Sequence, residues 1–181
     1  MKTSFLHRHL LLVVLLLPFF VHAEQGPGVP DHLYPGGDGG PITANVPLNE
    51  VSVRAYRYFH KQWLAVVDEA WYKMDGQLMA TFLSHSHLIK VFFNLKGAFL
   101  FNLEYYAGKD IATELSTMIR NKYPGCQIKV VTEVSSLDQK AYYITMENSA
   151  LVRTISIVNG KMEVLSELSN GDGSISQPSG L

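Results

Sequence analysis

Between residues 48 and 168 the spacing of apolar positions changes twice from helical to alternating. In "LNEVSVRAYRYFHKQW" the residues Leu48, Val51, Ala55 and Phe59 recur at helical spacing, with Tyr58 widening the stripe. Asn45 or Asn49 is placed to cap that helix, and Glu50 to meet its positive end. Period-two runs follow: "EAWYKM", "QLMATFLS", "HLIKVFFN" and "AFLFNLEYY". Asp75-Gly76 joins the first two and is a strong hairpin signal, and Leu95-Lys96-Gly97 turns the chain between the last two. Helical spacing then returns in "DIATELSTMIRNKY", with Ile111, Leu115, Met118, Ile119 and Tyr123 on one face. Asp110 is the expected cap and Pro124-Gly125 the stop. Four more strands are expected in "QIKVVTEV", "KAYYITM", "ALVRTISI" and "KMEVLSEL", the last pair joined by Asn159-Gly160.

The order therefore runs helix, four strands, helix, four strands, and "VFFNLKGAFL" matches "ISIVNGKMEV" as the last hairpin of each half. The fold class this predicts is α+β, with tandem helix-plus-four-strand units forming one antiparallel sheet and two helices on one face. The units span about 48–106 and 107–168. Each is small enough to bury little surface alone, and sharing one sheet solves that problem. Alternation nominates Ala80, Phe82, Ile89, Val91, Phe93, Phe99, Phe101 and Leu103 as helix-facing in the first unit. In the second it nominates Ile128, Val130, Tyr142, Ile144, Ile155, Ile157, Met162 and Val164.

The ends of the chain read differently. Residues 1–23 combine a basic start, an apolar run from Leu10 to Leu17 and a Val21-His22-Ala23 ending, which together read as a secretory signal cleaved after Ala23. The run is too short to span a bilayer, so stable membrane insertion is not expected and the address is periplasmic or secreted. Residues 24–47 and 169–181 are rich in Gly, Pro and small polar residues and read as flexible. Removing residues 1–23 takes Lys2 and Arg8 from the 15 basic residues and none of the 16 acidic ones, leaving a net charge of −3. That balance gives no electrostatic footprint for nucleic acid. The single cysteine, Cys126, cannot form an internal disulfide and reads as a buried small hydrophobe.

At this point Trp71 in the first strand, Ala80-Thr81-Phe82 in the second and Phe93-Asn94-Leu95-Lys96-Gly97 at the last hairpin resemble the PepSY-like domains of exported bacterial proteins. "YPGCQI", "YYITM" and "ISIVNG" stand at the matching places of the second unit, so the resemblance covers roughly residues 48–168. The implied fold is similar to that of secreted β-lactamase inhibitory proteins, an open sheet with one face free to dock another protein. The resemblance brings no catalytic residues and no inhibitory contacts. Those inhibitors are stapled by disulfides, which one cysteine cannot supply.

His85-Ser86-His87 could place two imidazoles on one side of a strand, but a stable metal site needs three or four ligands and none lies nearby in sequence. "GGDGG" and "NGDGS" lack the alternating oxygen ligands of a calcium loop. No nucleophile motif frames Asp68, Glu69 or Asp138, so no catalytic residue, metal ligand or cofactor is expected and the chain is not read as an enzyme. The surface remains. Opposite the helices, Met79, Leu83, Phe92, Leu100 and Tyr143 are expected to form an exposed apolar patch, with Phe92 wet in the free protein; Trp71 and Tyr72 have opposite parity, so one of them joins the patch, and Trp71 is the one nominated. The expected function is an exported, non-enzymatic binding module that docks a protein partner there, with self-association as a second use of the face. A periplasmic protein for small ligands or metals is the alternative.

Overall fold

Strand follows strand in space as it does in sequence. A computed structural model describes residues 44–74, 76–170 and the pair 175–176. Eight long strands make one antiparallel meander: β2 (Val67–Met74), β3 (Gln77–Ser84), β4 (His87–Asn94), β5 (Phe99–Ala107), β6 (Gln127–Ser135), β7 (Lys140–Glu147), β8 (Leu151–Val158) and β9 (Lys161–Ser169). The short strands β1 (Ala44–Asn45) and β10 (Ile175–Ser176) pair onto β2 and β9 at the two edges. Helix α1 (Val53–Gln62) precedes β2, and α2 (Thr113–Lys122) connects β5 to β6.

Tight turns set the register. Val158 stands opposite Lys161, with Asn159 and Gly160 both left-handed at φ 51° and 74°, as a two-residue hairpin requires. Ser84 stands opposite His87, and His85 and Ser86 take the same left-handed pair of conformations without a glycine. Met74 likewise opposes Gln77 around Gly76, while Asp75 lies outside the described residues. Gly97 closes the β4–β5 turn at φ 78°, and a Cβ there would run into Ser52 Oγ and the Ala55 backbone nitrogen. That glycine lets the turn pack against the start of α1.

The two helices lie on the same face. Helix α1 buries Ala55 and Phe59 over Trp71, Ala80, Phe82, Ile89, Val91 and Phe93. The Phe59 ring meets Trp71 at 5.3 Å and Phe82 at 5.0 Å, both edge-on. Helix α2 buries Ile119 over Val131, Ile144, Met146, Ile155 and Ile157, with Ile111, Leu115, Met118 and Tyr123 packed around them. Directly paired residues share a face, and one row runs Ile89–Glu104–Glu133–Tyr142–Ile157. It begins under α1 and ends under α2.

Register shifts overturn part of the expected pattern. Phe92 pairs with Phe101 and Phe93 with Phe99, so Leu100 is the extra residue of a bulge. Phe99 stays on the helix side, while Phe101 and Leu103, expected there, pair with Phe92 and Lys90 on the outer face. A second shift lies between Ile128 and Val130. Val131 takes the buried place beneath α2, and Val130, expected there, is exposed.

The termini of the elements differ too. Ser52 and Ala112 are the N-cap residues, without side-chain capping bonds. Asn45 lies in β1, and Asn49 and Asp110 lie in 3-10 turns ahead of the helices, so none of the three caps as expected. The segments 24–47 and 169–181 are not wholly irregular. Ala44–Asn45 pairs with β2, Val46 N donates to Trp71 O at 2.8 Å, β9 runs through Ser169 and Ile175–Ser176 pairs with β9. Sheet edges offer unpaired N–H and C=O groups, which gives even a polar segment something to bind. The expected signal at residues 1–23 and the remainder of both segments lie outside the described residues. Among the described residues, no helix is long and apolar enough to cross a membrane.

Candidate functional site

The outer face of the sheet, opposite both helices, gathers most of the residues nominated from sequence. Leu83, Leu88, Tyr105, Thr132, Tyr143 and Ser156 form one cross-strand row. Thr81, Lys90, Leu103, Val134 and Ala141 form the next. Tyr72, Met79, Phe92 and Phe101 make a third, with Phe92 and Phe101 stacked at 4.5 Å and 17°.

Met79, Leu83, Phe92 and Tyr143 are thus brought to one face, and Leu83 shares its row with Tyr143. Phe92 is not wet, however. It keeps 9% of its surface, and Met79, Leu103 and, further along the face, Tyr143 are buried as well, while Leu83, Leu88, Lys90, Phe101 and Tyr105 are half-buried. Phe101 stacks on the Phe92 ring from β5 and Met79 stands opposite it on β3. Leu100 is half-buried in its bulge and pairs with no residue in the register. Trp71 does not belong to the face. It is 1% exposed beneath α1, stacked on Phe93 at 5.7 Å, and its Nε1–H donates to Glu69 Oε1 at 2.6 Å. Its neighbour Tyr72, paired with Met79, takes the outer side instead.

Lys90 lies inside the apolar rows. Its amine sits 5.6 Å from the centre of the Tyr105 ring, and burial lowers its pKa from the ordinary lysine value. Burial also pushes the Tyr105 and Tyr143 phenols up to about 12. The Tyr143 hydroxyl is buried and has no hydrogen-bond partner. Alternation in β4 puts Lys90 on the outer side, but Leu103 and Tyr105 are hidden by the bulge that reverses the parity of β5, and Thr132 by the shift between Ile128 and Val130 in β6.

On the helix-bearing face a polar cluster occupies the strip between the two helix-packed cores. Glu104 and Glu133 are direct cross-strand partners. His87 Nδ1 lies 2.6 Å from Glu104 Oε1, and the His87 ring stacks on Tyr106 at 4.9 Å. Lys140 Nζ lies 2.6 Å from Glu133 Oε1, Ser135 Oγ donates to that oxygen at 3.2 Å, and Tyr106 OH donates to Glu133 Oε2 at 3.4 Å. The hydrogen bond to Glu133 holds the Lys140 amine above its usual pKa against the opposing effect of burial. Burial, with Glu133 next, pushes the Tyr106 phenol upward. Each carboxylate meets its own basic partner, so the cluster straps β4 through β7 together. Sequence reasoning missed it because its members are spread from residue 87 to residue 140.

The two histidines separate. His85 stands in the turn with Nδ1 3.2 Å from Ser84 Oγ, whereas His87 points to Glu104. Among the described residues, no group of three or more His, Cys, Asp or Glu side chains is placed to hold a metal ion. Cys126, expected buried, is half-buried at the edge of the α2 core, and Asn148 Nδ2 donates to its sulfur at 3.6 Å. It lines a cavity of about 480 Å³ with Gly108, Lys109, Arg120, Gly125, Gln127 and Ile128.

Solved structures share this architecture. A DUF2874 family protein from Bacteroides ovatus superposes with a TM-score of 0.50 at 16% identity, over 62% of this chain and 86% of its own. A BLIP-like protein from Bacteroides fragilis, similar by name to the β-lactamase inhibitors, gives 0.51 at 12%, over 68% and 89%. A candidate periplasmic protein from Bacteroides eggerthii gives 0.50 at 14%, over 66% and 88%. No family model matches the chain, and no curated protein is significantly similar to it. At these identities the likeness defines the fold: an α+β protein with an antiparallel sheet backed by two helices.

Proposed function

We propose that this protein is an exported, non-enzymatic binding module that docks a protein partner on the outer face of its sheet, resembling the PepSY-like and β-lactamase-inhibitor-like proteins. One observation carries the reading. Three apolar and aromatic rows fill the face opposite both helices, with half-buried Leu83, Leu88, Lys90, Phe101 and Tyr105 standing over buried Met79, Phe92, Leu103 and Tyr143. Large apolar faces of this kind mark interaction sites. The fold shared with a BLIP-like protein and a candidate periplasmic protein supports both the binding role and the exported address. We read the two helix-plus-four-strand halves as copies of one unit, which accounts for a sheet wide enough to form such a face.

The test places a photo-crosslinking residue at Leu88 on the outer face and, separately, at Arg57 on α1, in protein expressed and exported in its own host. The Leu88 probe is expected to trap a defined adduct that Leu83→Arg abolishes, while the Arg57 probe traps none. Equal trapping from both positions sinks the reading. A small-ligand function would use the open cavity beside Cys126, and protection of the Cys126 thiol from alkylation by a small molecule of the exported fraction is the result that reading requires.

A further inference from the structure

We infer that the open cavity beside Cys126 binds a small organic oxyanion, with Lys109 and Arg120 supplying the positive charge that holds it. This names the chemistry of the small-ligand reading and does not depend on what the outer face docks.

The cavity is built where α2 gives way to β6. Gly125 takes a left-handed conformation at φ 81° and turns the chain into the strand. The 3-10 turn Gly108–Asp110 comes in against the start of β6, and a Cβ on Gly108 would run into the Ile128 carbonyl. That glycine sets how closely Lys109 is carried to β6. Arg120 reaches the same cavity from the last turn of α2. The volume, about 480 Å³, falls within the roughly 300–1,000 Å³ of small-molecule sites.

Charge decides what would fill it. Among the described residues that line the cavity two are cations and none is acidic, in a chain with 16 acidic residues against 15 basic ones. The positive charge is therefore local to this place. The ion pairs among the described residues are His60–Glu69, His87–Glu104, Lys129–Glu147, Lys140–Glu133 and Arg153–Glu167, so neither Lys109 nor Arg120 is neutralised. Asp110, next along the turn, does not line the cavity. The negative end of α2 favours a cation at Arg120, but it gives no reason for Lys109 to share the same space. Like charges brought to one cavity repel, and an anion between them turns that repulsion into attraction. A guanidinium fork takes two oxygens of a carboxylate or phosphate, and a lysine amine adds a point charge. Ile128 offers an apolar contact for the carbon body. A dicarboxylate and a phosphate ester share this chemistry.

The experiment follows alkylation of Cys126 by iodoacetamide, an uncharged reagent, in the whole mature protein. Cys126 is the single cysteine, so the signal comes from the cavity. Amide chemical shifts of Gly108, Gly125 and Gln127 are the second readout, and they decide if the thiol proves unreactive. Succinate and glycerol 3-phosphate are expected to slow the reaction saturably and to move those amides, while uncharged succinamide does neither. Tighter binding of succinate assigns a dicarboxylate, and tighter binding of glycerol 3-phosphate a phosphate ester. Lys109→Gln and Arg120→Gln should each weaken binding about tenfold, the worth of one charge-assisted hydrogen bond. Both side chains are exposed, so neither change should move the urea midpoint. Equal protection by succinamide overturns the inference, and so does anion binding that survives both substitutions together. If the two acids do nothing while a molecule of the exported fraction still protects Cys126, the small-ligand reading stands and the anion assignment falls. If nothing protects it, both fall.

Discussion

Glu104 and Glu133 face each other directly across the β5–β6 pairing, two carboxylates opposed at the join between the halves of the sheet. Like charges in that relationship repel, and the arrangement holds because His87 takes one carboxylate and Lys140 the other. Lys140→Met leaves Glu133 facing Glu104 without its cation and should cost about 0.5 kcal/mol, a small value because Lys140 is itself exposed. Combined with Glu104→Gln, which removes the opposing charge, the same substitution should cost measurably less. Urea unfolding of the four proteins in this cycle gives the coupling. Strict additivity would mean that the two carboxylates do not sense each other.

Alkaline pH tests the outer face. The phenols of Tyr105 and Tyr143 ionise near 10.0 when unfolded and at about 12 in the native protein, because burial disfavours the charged form. Between those values the native state holds protons that the unfolded state has released, so stability falls as pH rises from about 10. Below that range both states are protonated and these groups contribute no slope. Lys90 works in the opposite sense just below 10.5, since burial lowers its pKa, so the informative comparison is between variant and parent. Tyr143→Phe should reduce the loss of stability above pH 10 by up to about 1.4 kcal/mol per pH unit, the worth of one proton. Thermal melts from pH 8 to 12 measure it, and coincident curves would show that Tyr143 is not buried in solution.

How far the sequence carried this fold is best seen in β4 and β5. Strand β4 was legible in full: "HLIKVFFN" alternates cleanly, and Ile89, Val91 and Phe93 lie beneath α1 as expected. Strand β5 was found, but its faces were inverted beyond Phe99. Period-two reasoning assumes one residue per step, and the extra residue Leu100 reverses every side chain after it. Nothing in "AFLFNLEYY" marks that bulge, because Phe, Leu and Tyr satisfy either face. The same limit hid the site. Alternation in β4 puts Lys90 on the outer side but cannot put its neighbours Leu103 and Tyr105 there, and an unmatched buried donor such as the Tyr143 hydroxyl is a property of three-dimensional surroundings. Trp71 was misplaced for a related reason. Alternation says that Trp71 and Tyr72 face opposite ways, and only packing against Phe59 and Phe93 decides which faces the helix.

Phe92 gives the sharpest test of the outer face as a packed layer. Alternation alone makes it a wet aromatic whose replacement by serine would be nearly neutral. The structure gives it a different environment. Its ring lies flat against Phe101 at 4.5 Å, its cross-strand neighbour Met79 is buried, and it retains 9% of its surface. Phe92→Ser therefore removes a stacked ring and leaves a hydroxyl among apolar side chains, at a cost of about 3 kcal/mol. Phe92→Leu keeps most of the apolar volume and should cost about 1 kcal/mol. Urea unfolding of the monomer, with m unchanged and the midpoint lowered, is the expected signature. A Phe92→Ser change within about 0.5 kcal/mol of the parent would show that the ring is wet in solution, with its area left for a partner to bury.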